Sequence, residues 1–302
     1  MTIVFCEGRP AADRIREAFP SVTVIDIAEG VPDAAQADVL FGGFTKHAVE
    51  AVGRGVRWVQ LPGTGIDGMP KALLDAEAVT TARGANAVSI SEYVITVMGA
   101  FARRFPENWV RAKPERWNNQ GADCLAGATL GLYGFGGIAQ RVARIALAMD
   151  MNVNALRRRG APSPVPGVAL VGSVEDLLDG ADHLVLAAPA TADTHHVVNR
   201  STIAMMKPGV HLVNIARGAL VDQDALRDGL DGGVIARASL DVVEPEPLPA
   251  GHWLFEHPKV FLTPHTSWAG RPFMSGATDI FLENLGRYLE GRPLLYQITA
   301  GY

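Results

Sequence analysis

The chain has 302 residues, with 27 Lys and Arg against 32 Asp and Glu and a formal net charge of −5. That length exceeds what one compact core usually organises, so two domains are expected. The slightly acidic balance argues against nucleic acid or an anionic membrane as the main partner. The two cysteines, Cys6 and Cys124, have no metal or redox spacing and are too few for a disulfide scaffold, which points to a reducing cytoplasm.

In chain order, TIVFC (2–6) reads as a first β-strand rather than a signal peptide, because no basic segment precedes it. No stretch reaches the ~18–20 apolar residues of a membrane span. VTVIDI (22–27), DVLFGG (38–43) and VRWVQLP (56–62) read as further short buried strands. Helical stretches at 11–18 and 46–53 separate them, the alternation of an α/β unit built on a parallel sheet. A longer helix is expected from about Ser91 to Arg104, with Ser89 and Glu92 forming an S-x-x-E capping box. The arm that follows carries Trp109 and Trp117, and is either a homodimer contact or a segment packed on its own chain.

A second series runs through TLGLY (129–133), MNVNALRRR (151–159), VALVG (168–172), DHLVLAAP (182–189), VHLVNIARG (210–218), RASLDVV (237–243) and VFLTPHTSW (260–268). A final amphipathic helix is expected over 274–290. Strands alternate with helical segments throughout, as a doubly wound sheet requires.

Behind TLGLY stand Gly134-Phe135-Gly136-Gly137-Ile138-Ala139, a G-x-G-x-x-A turn that opens an amphipathic helix. Gly134 permits the tight turn, Gly136 lets the backbone approach a pyrophosphate, and Ala139 allows close helix–strand packing. The helix N-terminus offers unpaired N–H groups and partial positive charge to the phosphates. An NAD site expects a carboxylate about 20 residues on, bonding the ribose 2′-hydroxyl. That position holds Arg157, followed by Arg158 and Arg159. A guanidinium there binds a 2′-phosphate bidentately and stacks on the adenine, so NADPH is expected over NADH. The plainer alternative is a solvated basic loop.

Three further segments end strands. VNIARGALVD carries Arg217, SLDVVEPEPLP carries Asp241, Glu244 and Glu246, and VFLTPHTSW carries His265. Residues just beyond the carboxyl ends of strands line the ligand crevice of an open α/β sheet, so the three sets are expected to meet. His195-His196, on a loop, lack ligand spacing, and no metal is expected.

These motifs, in this order, resemble the D-isomer-specific 2-hydroxyacid dehydrogenase family, and within it the glyoxylate/hydroxypyruvate reductase type. The resemblance covers nearly the whole chain. It implies α/β architecture in two doubly wound parallel-sheet domains: a flavodoxin-like substrate domain of residues 1–96 and 271–302, and an inserted Rossmann cofactor domain of residues 97–270. It implies reduction of a small 2-oxo acid to the D-2-hydroxy acid, with His265 as proton donor, Glu246 as its acidic partner and Arg217 binding the substrate carboxylate. Glu244 is the nearest rival to Glu246, but the family pattern sets the acid directly before Pro-Leu. Thr64, Gly65 and Ile66 in LPGTGID resemble a loop that holds the substrate carboxylate through its N–H groups. Trp268 either walls the substrate pocket or belongs to the core or an interface.

The implied cofactor contacts begin at Gly134, Phe135, Gly136, Gly137 and Ile138, and include Arg157 and Arg158. They continue through Ala188 and Pro189, through Ile215, Ala216 and Arg217, and through Asp241 and His265. Gly137 stands where the family often has Arg, and Ala188 where it often has a hydroxyl residue. The same fold also serves dinucleotide-sensing scaffolds and corepressors. Formate dehydrogenases replace the acidic partner with an amide, and Glu246 speaks against them.

Overall fold

The computed structural model describes residues 2–105, 107–115, 117, 121–157, 162–270 and 272–298. The chain divides into two compact units, 1–86 with 270–302, and 87–269.

The first unit opens with β1 (Ile3–Cys6), α1 (Arg9–Ala18), β2 (Thr23–Asp26), β3 (Val39–Phe41), α2 (Lys46–Val52), β4 (Trp58–Leu61), α3 (Lys71–Leu74) and β5 (Ala78–Thr81). Its sheet is parallel, in the order β2-β1-β3-β4-β5. That is the doubly wound order of flavodoxin-like folds. Helix α1 takes Pro10 in its first turn, where a missing N–H costs nothing, and buries Ala11, Ala12 and Ile15. Strand β5 escapes the sequence reading because Ala78-Val79-Thr80-Thr81 lacks an apolar run.

The second unit contains α4 (Ala87–Ala102), β6 (Thr129–Tyr133), α5 (Gly137–Ala148), β7 (Asn152–Leu156), β8 (Val168–Val171), α6 (Val174–Leu178) and β9 (His183–Leu186). It continues with α7 (Arg200–Ile203), β10 (Val210–Asn214), a 3₁₀ turn at Gly218–Leu220, α8 (Gln223–Asp231), β11 (Ile235–Leu240) and β12 (Val260–Leu262). Seven parallel strands are ordered β12-β11-β10-β9-β6-β7-β8. The chain thus starts in the sheet at β6, winds one way to β8, returns beside β6 at β9 and winds the other way. The switch between β6 and β9 is where such sheets bind dinucleotides.

The chain then returns to the first unit as α9 (Pro272–Leu289). Phe281 stacks on Phe41 at 4.5 Å and on Trp58 at 5.4 Å. Buried Asn284 donates to Gln60 Oε1 at 3.0 Å and accepts from Leu295 N at 2.7 Å. These contacts make α9 part of the first core.

Two expectations need adjusting. The long helix starts at Ala87, so Ser89 and Glu92 lie inside it and form no capping box. In addition, the division falls at 86/87 rather than 96/97. Ile90, Val94 and Met98 of α4 share a core with Ala139, Val142 and Ala146 of α5, so the whole helix belongs to the second unit. No helix among the described residues is long and apolar enough to cross a membrane.

Candidate active site

The glycine turn is built for close approach. Gly134 has φ 96°, and a Cβ there would lie 2.8 Å from Ala188 N and 2.9 Å from Ala187 C and O. Only glycine lets the ends of β6 and β9 come so near. Its N–H donates to Leu156 O at 3.1 Å, which ties the turn to the end of β7. Gly136 caps α5 with no side-chain bond to the helix N-terminus. A Cβ on Gly136 or Gly137 would meet nothing within 4 Å. The open space before an uncapped helix N-terminus fits a pyrophosphate group.

Not every expected cofactor residue offers a side chain. Phe135 is buried in the core with Ala139, so only its backbone faces outward. Ile138 packs against the same core. Ile215 and Ala216 are likewise buried. Ala188 is half-buried, and Pro189 is exposed. Arg157 is half-buried, one residue beyond the Leu156 carbonyl that holds Gly134. Arg158 and Arg159 lie outside the described residues.

Arg217 is presented by a device that the sequence did not reveal. The buried Asn214 side chain accepts from Ala216 N at 3.0 Å and donates to Arg217 O at 2.8 Å, folding the turn after β10. Arg217 Nη1 donates to Ala216 O at 2.6 Å. Gly218 makes a very close approach: a Cβ there would lie 2.1 Å from Val243 C and O and 2.6 Å from Glu244 N. The loop after β11 therefore rests directly on the Arg217-Gly218 backbone.

Asp241 is 2% exposed and faces inward. Its carboxylate accepts from Thr263 Oγ1 at 2.5 Å, Thr266 N at 2.9 Å and Ser267 N at 3.0 Å. Its carbonyl accepts from His265 N at 2.9 Å. Asp241 thus shapes the turn that carries His265, a role beside the cofactor contact expected of it. His265 adopts φ 54°, a left-handed conformation uncommon outside glycine. Its Nδ1 lies 2.8 Å from Glu246 Oε2, while Glu246 Oε1 accepts from Val243 N at 3.0 Å. The imidazole side chain is 45% exposed, so its far nitrogen, Nε2, is reachable. Trp268 Nε1 donates to His265 O at 2.6 Å, which sets the indole against the same turn.

The strands ending at these groups are neighbours. His265 follows β12, Asp241 and Glu246 follow β11, Arg217 follows β10, Ala188 follows β9 and the glycine turn follows β6. Parallel strands lie ~4.8 Å apart, so one edge of one sheet carries the His265–Glu246 pair, the Arg217 guanidinium and the glycine turn in sequence. Glu244, the rival acid, points elsewhere: a carboxylate oxygen lies within 4.8 Å of ring nitrogens of His195 and His196.

In the first unit, Thr64, Gly65 and Ile66 form the half-buried loop after β4. Flanking carbonyls pin it: Gly63 O accepts from Ala82 N at 3.0 Å and Ile66 O from Met69 N at 3.1 Å. In the same unit, the Glu7 carboxylate accepts from Gly43 N at 2.7 Å, Phe44 N at 3.0 Å and Thr45 N at 3.1 Å, which fixes the GGFTKH loop.

Known proteins give the arrangement a context. A family model described as "D-isomer specific 2-hydroxyacid dehydrogenase, NAD binding domain" matches residues 95–267. Glycerate dehydrogenase of Methylorubrum extorquens is 30% identical over 250 residues, 79% of this chain and 77% of that protein. D-3-phosphoglycerate dehydrogenase of Methanocaldococcus jannaschii is 31% identical over 91% of this chain, which spans about half (53%) of that relative. NADPH-dependent glyoxylate/hydroxypyruvate reductase of Sinorhizobium meliloti, solved with NADP and sulfate, superposes with a TM-score of 0.83 at 25% identity over 100% of both chains.

Proposed function

Because the chain belongs to the D-isomer-specific 2-hydroxyacid dehydrogenase family, we propose that it reduces a small 2-oxo acid, of the size of glyoxylate or hydroxypyruvate, to the D-2-hydroxy acid at the expense of NADPH. The observation that carries this reading is the His265–Glu246 pair, 2.8 Å apart on the sheet edge that also bears Arg217. When bound, the reduced nicotinamide supplies the hydride, and the chain supplies position, field and proton. Glu246 accepts from His265 Nδ1–H and stabilises the imidazolium, whose second proton, on Nε2, goes to the substrate's carbonyl oxygen and leaves the ring neutral. Arg217 pairs with the substrate carboxylate and steadies the negative charge that grows on that oxygen. Trp268 walls the side of the imidazole and favours a small substrate. Thr64, Gly65 and Ile66 are the first unit's substrate contacts.

For the cofactor, the backbone from Gly134 to Ile138 and the α5 N-terminus receive the pyrophosphate. Ala188, Pro189, Ile215, Ala216 and Asp241 flank the rest of the dinucleotide. Arg157, with Arg158 beside it, takes the 2′-phosphate. The Arg at this position, where an NAD site needs a carboxylate, supports NADPH over NADH. The exposed aromatics of the arm, Trp109 and Trp117, support a homodimer, and two free thiols, Cys6 and Cys124, suit a cytoplasmic setting.

A panel of 2-oxo acids run with both cofactors tests the reading. Glyoxylate and hydroxypyruvate should outrun bulkier 2-oxo acids, and chiral analysis of the hydroxypyruvate product should give D-glycerate. Tight NADP binding without turnover on any of them would point instead to a dinucleotide-sensing scaffold.

A further inference from the structure

The loop after β9 and the loop after β11 meet at three groups that the proposed reaction does not use. His195 and His196 are adjacent in sequence, yet their rings stack at 3.9 Å between centroids with an interplanar angle of 26°. Successive side chains of an extended chain point to opposite faces. Here the left-handed backbone of His196, φ 51°, turns the second ring to the side of the first. Ring nitrogens of both histidines and a Glu244 carboxylate oxygen all lie within 4.8 Å of one another. Among the described residues no hydrogen bond engages either imidazole.

Both loops are held in place. His196 N donates to Ala219 O at 2.9 Å, and His196 O accepts from Asn199 Nδ2 at 2.8 Å. Upstream, Thr194 Oγ1 accepts from Thr191 N at 2.8 Å and donates to Pro189 O at 2.7 Å. On the other side, the Glu244 backbone lies against Gly218, and its carbonyl accepts from Gln223 Nε2. The ligating atoms are therefore offered by two anchored loops and not by free termini.

We propose that His195, His196 and Glu244 form a binding site for one divalent transition-metal ion of the zinc class. Two imidazoles and one carboxylate are the donor set such ions favour, and water completes a tetrahedral shell. Ligands at ~2.1 Å from a tetrahedral ion sit about 3.4 Å apart, a spacing that side-chain rotation can reach from the present one. His195 and Glu244 are exposed and have the freedom to rotate. Magnesium and calcium, which demand oxygen ligands, are disfavoured. The ion clamps the loop after β9 to the segment that carries Glu246 two residues further on. The site stands independently of the proposed reaction.

The test uses the full chain, purified without a histidine tag and stripped with chelator. Zinc chloride is titrated by calorimetry, and cobalt chloride by its visible absorption. One ion per chain should bind in the micromolar range and raise the melting temperature. His195→Ala and Glu244→Gln, both at exposed positions, should each weaken binding at least about tenfold without altering the metal-free melting temperature. His252→Ala should bind as the parent does, and millimolar magnesium should not compete. No saturable uptake, or uptake that survives both substitutions, would overturn the proposal.

Discussion

At the scale of single residues, the groups of the site act through position. His265 is held left-handed by two backbone bonds, to Asp241 O and Thr263 O, each 2.9 Å. A general acid contributes ~10²–10⁴-fold to such a step, so His265→Asn should lower kcat within that range while NADPH binding, read by fluorescence, stays near that of the parent. Loss of cofactor binding together with activity would assign the residue to holding the cofactor or the fold and not to proton delivery. Arg157→Asp should reduce the ratio of kcat/KM for NADPH over NADH by roughly 10- to 100-fold, because a charge-assisted bond worth ~1.5–3 kcal/mol is exchanged for repulsion. An unchanged ratio would leave Arg157 as a solvated charge. Gly218 admits no side chain: Gly218→Ala drives a methyl into the Val243 carbonyl and should cost at least 1–3 kcal/mol of stability, lowering the melting temperature and displacing the loop that carries Glu246. A parental melting temperature would contradict the close approach.

The acid, the guanidinium and the glycine turn were legible in the sequence because each sits in a local motif at a strand end. Asn214 and Gly218 were not, since their importance lies in what touches them: a side chain folded back on its own turn, and a loop arriving from the next strand. The role of Asp241 in shaping the His265 turn was hidden for the same reason. Its partners, Thr263, Thr266 and Ser267, lie more than twenty positions along the chain.

At the scale of elements, the centre of the seven-stranded sheet carries an unusual polar line. His183 of β9, His211 of β10 and Ser239 of β11 are buried and linked, Nδ1 to Nδ1 at 3.2 Å and Nε2 to Oγ at 2.9 Å. Phe101 of α4 stacks on His211 at 4.6 Å, and Arg237 lies over the Phe101 ring. Burial pushes the His183 pKa down to about 4, opposed by Asp182. Burial, then His183, then Arg237, push His211 well below the ordinary range.

Both histidines are thus neutral in the folded chain but take up protons near pH ~6.5 when it unfolds. Their contribution is fully present above that pH and is lost as pH falls toward about 4. The loss is on the order of 3 kcal/mol for His183 alone. Melting temperatures measured from pH 7 down to pH 4.5 should fall steeply, and less steeply in a His183→Leu/His211→Phe double variant. Parallel curves for the two proteins would exclude the pair as the source. No sequence pattern announced this line, because two histidines 28 positions apart become neighbours only through the strand order.

At the scale of the whole chain, the strand–helix alternation was enough to foresee parallel sheets, and the two observed orders, β2-β1-β3-β4-β5 and β12-β11-β10-β9-β6-β7-β8, are both doubly wound. The start of α4 differs from the expected one because Ser89-x-x-Glu92 imitates a helix start inside a helix that already runs from Ala87. Small residues, Ala87, Val88 and Ser89, gave no stronger signal ahead of it. The arm beyond α4 leaves Trp109 57% and Trp117 74% exposed, an outlay of aromatic surface that pairing with a second copy would cover. Light scattering should therefore return twice the chain mass, and Trp109→Glu with Trp117→Glu should return the single mass. A monomeric parent would show that the arm serves something else.

The central claim is that His265 delivers a proton while NADPH reduces a 2-oxo acid. Its most direct measurement is the steady-state oxidation of NADPH with glyoxylate or hydroxypyruvate, run side by side on the parent chain and His265→Asn. Brisk, substrate-dependent oxidation is expected of the parent, with a fall of about 100-fold or more in the variant. Equal rates in the two proteins, or no substrate-dependent oxidation by the parent, would contradict it.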